Sequence, residues 1–119
     1  MTNLAGFGPM GQKTRNLVEP ALRKSAQGEA CSLRLPCCNH DPATTVLAHL
    51  RFFGWAGMGQ KPPDYLAVFA CSACHDAIDR RSDADVSQWE FEDLLRGLGE
   101  TLRRQEAKGL IQFGKAYAP

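Results

Sequence analysis

Two cysteines separated by two residues, Cys71-Ser-Ala-Cys74, constrain this chain more than any other feature, because three more cysteines stand upstream at Cys31, Cys37 and Cys38. A closed disulfide framework has no use for an odd count, whereas a Cys-x-x-Cys turn presents two sulfurs on one side of a tight loop, the grip of a zinc knuckle. A knuckle needs a second pair of donors. Cys31 and Cys38 are the favoured pair; Cys37 is adjacent to Cys38, so the two side chains diverge and one of them binds, with His40 as a substitute donor. A thioredoxin-like redox pair shares the spacing but needs a βαβ context that the chain lacks. Buried unligated thiols suit one cysteine better than five. A structural Zn²⁺ would also staple a segment broken by Pro36 and Pro42, since metal-binding free energy becomes folding free energy in domains of this kind.

The 119 residues suit one ordinary globular domain. Fourteen Lys+Arg against thirteen Asp+Glu leave a formal charge of +1, so bulk charge points to neither a strongly basic nucleic-acid binder nor an acidic tail. No apolar run approaches the roughly 20 residues of a membrane span, and residues 1–16 lack the compact hydrophobic stretch of a signal peptide. The expectation is a cytoplasmic protein with no membrane association.

Residues 1–28 are rich in Gly and Pro and carry Lys13, Arg15, Arg23 and Lys24 against Glu19, which predicts a flexible basic arm; Pro20 suits the first turn of a short helix over 19–26. The rest, 29–119, reads as one domain with its chemistry between about 31 and 81. Residues 44–53, β-branched and aromatic, predict a strand that places His49 and Arg51 on one face. Residues 54–63 predict a loop, and 65–70 a second strand ending at Cys71. A helix then opens inside the Cys71–Cys74 turn and carries His75 to about Arg81. Farther on, Phe91, Leu94, Leu95, Leu98 and Leu102 recur at helical spacing and predict an amphipathic helix over about 87–109. Ser87 and Glu90 suggest its capping box, Val86 and Phe91 a hydrophobic staple, and Gly109 its stop. Gly97 and Gly99 inside it imply close packing or a bend. Its apolar stripe suits the core, or a homodimer.

His75 and Asp79 lie four residues apart, one turn of a helix, and so share a face. An imidazole and a carboxylate so placed form a half-site for a divalent cation, Mg²⁺ or Mn²⁺, with positions left for water and a phosphate oxygen. The same spacing suits a hydrogen-bonded His with Asp79 paired to Arg80 or Arg81. Asp76 reads as a solvated first-turn acid. His49, alone in an apolar strand, would ordinarily be a satisfied core or edge residue.

Taken together, a strand ending in His, a Gly-bearing loop, a second strand, a Cys-x-x-Cys turn and a helix opening with His resemble the HNH endonucleases, the ββα-metal fold. The segments 31–36, 43–51, 57–64 and 70–81, with Asn39 and Pro42, look like the YbcO-like nucleases of prophages, similar in motif to the phage RecA-dependent nuclease Ref. The resemblance covers about 31–81, some two-fifths of the chain. It implies a small α+β, zinc-stabilised ββα-metal (treble-clef-like) core with an added C-terminal amphipathic helix. It also implies a phage-encoded, metal-dependent DNA endonuclease acting in recombination or DNA processing. In that assignment His49 is the general base and His75 with Asp79 hold the catalytic cation. Cys31, Cys38, Cys71 and Cys74 hold the zinc, and Arg51, Lys61 and the basic arm contact phosphates. Ala48 stands where many HNH enzymes have an acid or a second His. The motif's middle Asn is absent from its usual place, and Asp64, lying nearest, would orient His49. A RecA-like recombinase filament enters as partner by analogy with Ref alone. The alternative is a zinc-stabilised nucleic-acid-binding module that kept the fold and lost the chemistry.

Overall fold

The computed structural model describes residues 19–51, 62–79 and 89–114. Within them the chain runs α1 (Pro20–Lys24), a 3-10 turn (Pro42–Thr44), β1 (Val46–His49), β2 (Ala67–Ala70), α2 (Ser72–Ile78) and α3 (Phe91–Ala107). It is a small α+β fold whose described sheet has two strands. The predicted arm residues 1–18, the 54–61 part of the predicted loop with Lys61, and the Val86 and Ser87 cap lie outside the described residues.

β1 and β2 pair antiparallel, Leu47 opposite Phe69 and His49 opposite Ala67, so alternation sends two different residue sets to the two faces. Ala48, Leu50, Val68 and Ala70 turn one way, into a core shared with Leu33, Leu35, Ile78, Leu94 and the cysteines. Leu47, Ala67 and Phe69 turn the other way, onto Leu22 and Ala26. Residues 19–26 are therefore no loose arm: Pro20 fixes the first turn of α1, the Glu19 side chain accepts from the Ala21 N–H, and buried Leu22 docks the helix on the sheet. The short helix expected around Pro20 is present, and the fold begins ahead of residue 28.

The far edge of β2 is closed without a third strand. Phe69 O accepts from the Ser32 N–H at 2.7 Å, and the Phe69 N–H donates to Thr101 Oγ1 at 2.9 Å. An open sheet edge is a pairing hazard that folds cover in some way, and here a loop and a helix side chain cover it.

α3 differs from its sequence-based reading at its start and in its buried face. Glu90 has extended backbone and caps the helix; its N–H donates to Asp93 Oδ2 at 3.0 Å, so the capping box is Glu90/Asp93 rather than Ser87/Glu90. The buried stripe is Leu94, Gly97, Thr101 and Gln105, while Phe91 and Leu95 are 55% and 65% exposed. The leucine spacing misplaced the centre of the buried face because α3 meets polar backbone and hydroxyl groups, which Thr101 and Gln105 satisfy. Gly97 is the close approach: a Cβ there would stand 2.8 Å from Leu33 Cδ2. Gly109, at φ +76°, ends the helix as expected.

Candidate functional site

The cysteines come together from two places. Cys71 is the N-cap of α2, its Sγ accepting from the Cys74 N–H at 3.4 Å, so the Cys-x-x-Cys turn and the helix start are one structure. Cys31 and Cys38 lie on the irregular 31–40 segment, which α3 holds in place by hydrogen bonds from Arg96 to the carbonyls of Ser32 and Leu33. The four sulfurs of Cys31, Cys38, Cys71 and Cys74 all lie within 4.8 Å of one another and can hold a metal ion. Cys38 and Cys71 are 3.7 Å apart, against about 3.8 Å for two sulfurs on a tetrahedral zinc with bonds near 2.3 Å. Backbone amides of Arg34, His40, Cys74 and Leu35 face the four sulfurs in turn, which favours thiolates. A hydrogen bond from Cys74 draws Cys31 down to about 4 and pushes Cys74 up, while burial pushes Cys38 up to about 11. Cys37 turns away, its sulfur donating to Ala73 O at 3.8 Å, and exposed His40 sits outside the group with Nδ1 3.7 Å from Cys38.

The second centre is on the other side of the sheet. His49 closes β1, and its Nε2 is 2.8 Å from Oδ1 of Asp64, a carboxylate only 1% exposed. Asp64 also accepts from the Glu19 N–H at 2.7 Å and from Arg23, whose Nε lies 3.2 and 3.3 Å from the two oxygens and whose Nη2 lies 3.3 Å from Oδ1. Burial alone would push this carboxyl up, but the Glu19 amide, His49 and the Arg23 guanidinium together hold it below the usual carboxylate range. With every acceptor position engaged, Asp64 is suited to orient His49 rather than to take a proton or a metal.

His75, one turn into α2, has Nε2 3.1 Å from Oδ2 of Asp79, the residue that caps the helix end. That distance fits a hydrogen bond; it also fits two neighbouring ligands of an octahedral cation with bonds of about 2.1 Å, whose separation is near 3 Å. His49 and His75 open onto one cavity of about 440 Å³, together with Arg51, Arg23, Gln27 and Thr45. No Asp or Glu is among its described lining residues, so the wall is cationic and suits a phosphodiester. Thr45 Oγ1 is buried there without a partner among the described residues. The structure thus brings His49, His75 and Arg51 to one cavity, with Asp64 paired to His49 and Asp79 to His75 outside its lining, and none of the four cysteines lines it. Arg23 was anticipated only as one cation of a basic arm and not as a partner of Asp64, and Gln27 carried no sequence signal.

The comparisons bear on the same stretch of chain. The sequence model of the family described as "Putative nuclease YbcO" matches residues 20–110, from the first turn of α1 to just past α3. Similar proteins include "Putative nuclease YbcO" of Escherichia coli (strain K12) and "Putative nuclease ybcO" of Enterobacteria phage 82. Each is 49% identical over 81 residues, which is 67% of this chain and 84% of the relative. A solved structure, described as "Structure of a putative bacteriophage protein from Escherichia coli str. K-12 substr. MG1655", matches with a TM-score of 0.60 at 41% identity. The match covers 75% of this chain and all of that one.

Proposed function

The chain belongs to the YbcO family, whose phage and prophage relatives are each described as a "Putative nuclease", and we propose that it is a metal-dependent DNA endonuclease of the ββα-metal, HNH-like type. The observation that carries this reading is the pairing of His49 with buried Asp64 on the same cationic cavity as His75. A phosphodiester is an anion that needs an activated water, a charge-stabilising wall and help for its leaving oxygen. The cavity has residues for each.

His49 gives its Nε2–H to Asp64 and keeps Nδ1 as the nitrogen that takes a proton from water, the geometry in which a carboxylate fixes an imidazole's tautomer. Arg51 flanks the site and would neutralise the phosphates. His75 and Asp79 would hold a divalent cation, Mg²⁺ or Mn²⁺. When bound, such a cation supplies Lewis-acid stabilisation of the phosphoryl and leaving 3′ oxygens. Cys31, Cys38, Cys71 and Cys74 would hold a structural Zn²⁺ that anchors the start of α2, and with it His75. The recombinase filament as partner rests on the motif resemblance to Ref. A homodimer through α3 rests on the apolar stripe of that helix alone; Phe91 and Leu95 are exposed on it.

The test is cleavage of plasmid and single-stranded DNA with Mg²⁺ or Mn²⁺, by the unmutated protein and by His49→Ala and His75→Ala at matched zinc content. We expect cleavage by the first and a loss of about 100-fold or more in each variant, the usual worth of a general base or a metal ligand. Binding without cleavage, with or without an added recombinase filament, would instead identify a binding module.

A further inference from the structure

Arg23 belongs to neither the cysteine group nor the His75 and Asp79 pair, yet it makes three of the five contacts that hold Asp64. We propose that Arg23 is a positioning residue for the reaction above: docked from α1, its guanidinium locks the Asp64 carboxylate so that His49 keeps its hydrogen on Nε2 and its lone pair on Nδ1. The inference rests on the reading of His49 as the base.

The argument is an inventory of donors. Backbone N–H and guanidinium groups donate and never accept. Oδ2 of Asp64 accepts from the Glu19 N–H and from Arg23 Nε; Oδ1 faces Arg23 Nε, Arg23 Nη2 and His49 Nε2. A carboxyl surrounded by donors stays ionised and can only accept. The imidazole nitrogen facing it must therefore carry the hydrogen, which leaves Nδ1 unprotonated in the neutral ring. Arg23 is the charged member of this set and spans both oxygens, so it opposes rotation of the carboxylate about Cβ–Cγ as a single hydrogen bond would not. Leu22, buried beside it against Leu47 and Phe69, anchors the helix that carries it. Arg23, Arg51 and His75 are the other charged or titratable groups that share the cavity with His49.

Arg23 also lines the cavity, so a direct contact to DNA is the competing role. The two separate experimentally. In full-length, metal-loaded, ¹⁵N-labelled protein without DNA, long-range proton–nitrogen correlation spectra read the imidazole tautomers directly. We expect His49 to be the Nε2–H tautomer in the unmutated protein and a mixture of tautomers in Arg23→Gln, with the His75 signals unchanged as the internal control for folding. Arg23→Met, which keeps an apolar stem and good helix propensity, should give the same result and serves if the first variant folds poorly. In cleavage assays the variants should lose up to about 100-fold in kcat, the effect of misplacing a reacting group by about 1 Å, with KM little changed. A pure Nε2–H tautomer in either folded variant overturns the proposal, as does a loss confined to KM, which would make Arg23 a phosphate contact. Should the unmutated protein fail to cleave while the tautomer still depends on Arg23, the clamp stands and the nuclease reading falls.

Discussion

Gly97 and Gly99 lie two positions apart on α3 and should respond in opposite ways to alanine. At Gly99 a Cβ meets nothing within 4 Å, so Gly99→Ala should stabilise by about 0.5–1 kcal/mol through helix propensity. At Gly97 the same gain is opposed by a 2.8 Å approach to fully buried Leu33 and 3.3 Å to Ser32 Oγ, an overpacking cost of about 1–3 kcal/mol. Gly97→Ala should therefore destabilise by about 1 kcal/mol in urea titrations at fixed metal content. Asp64 has its own signature. A carboxyl depressed in the folded state contributes stability above the range of the unfolded carboxyl, near pH 3.9, and loses that contribution as pH falls through its folded value. The unmutated protein should thus lose stability below about pH 4 more steeply than Asp64→Asn, as followed by circular dichroism against pH. His49, His75 and the cysteines were legible because their residue types are rare and their spacing is short. Arg23 was illegible, since it meets Asp64 across 41 positions from a segment whose composition suggests a loose arm.

The elements that the sequence marked best are those with local punctuation, α2 opening at Cys71 and Gly109 closing α3, whereas the strand expected over 44–53 is the shorter β1, Val46–His49, and Arg51 lies beyond its end. The face of α3 was harder to read, because apolar periodicity counts leucines while the surface α3 covers is partly the polar edge of β2. That edge makes Thr101 the residue to change. Thr101→Val keeps the shape but strands the buried Phe69 N–H, and it also removes the hydrogen bond to Ser32 Oγ. It should cost about 1–3 kcal/mol, the penalty of an unsatisfied buried donor. Hydrogen exchange offers a sharper check, with the Phe69 amide losing protection while the amides pairing β1 with β2 retain theirs.

Across the molecule, the cysteine group is part of the larger hydrophobic core, packed with Leu33, Leu35, Ile78 and Leu94. A structural zinc contributes about 10 kcal/mol or more in small domains, as much as the whole net stability of about 5–15 kcal/mol of an ordinary one. Removing metal with a strong chelator should therefore abolish the cooperative thermal transition. Cys38→Ser should do likewise, whereas Cys37→Ser, whose sulfur faces Ala73 O, should keep one bound metal per chain by elemental analysis. The placement of Asp64 has a consequence of another kind. Its partners come from α1 (positions 19 and 23) and from the end of β1 (position 49), so with its own position 64 it reports in one atom group whether three stretches of chain have met. On the proposed reading, a nascent or partly unravelled copy has no oriented imidazole and is inert toward DNA. A host making this protein is thereby spared stray cuts until folding is finished.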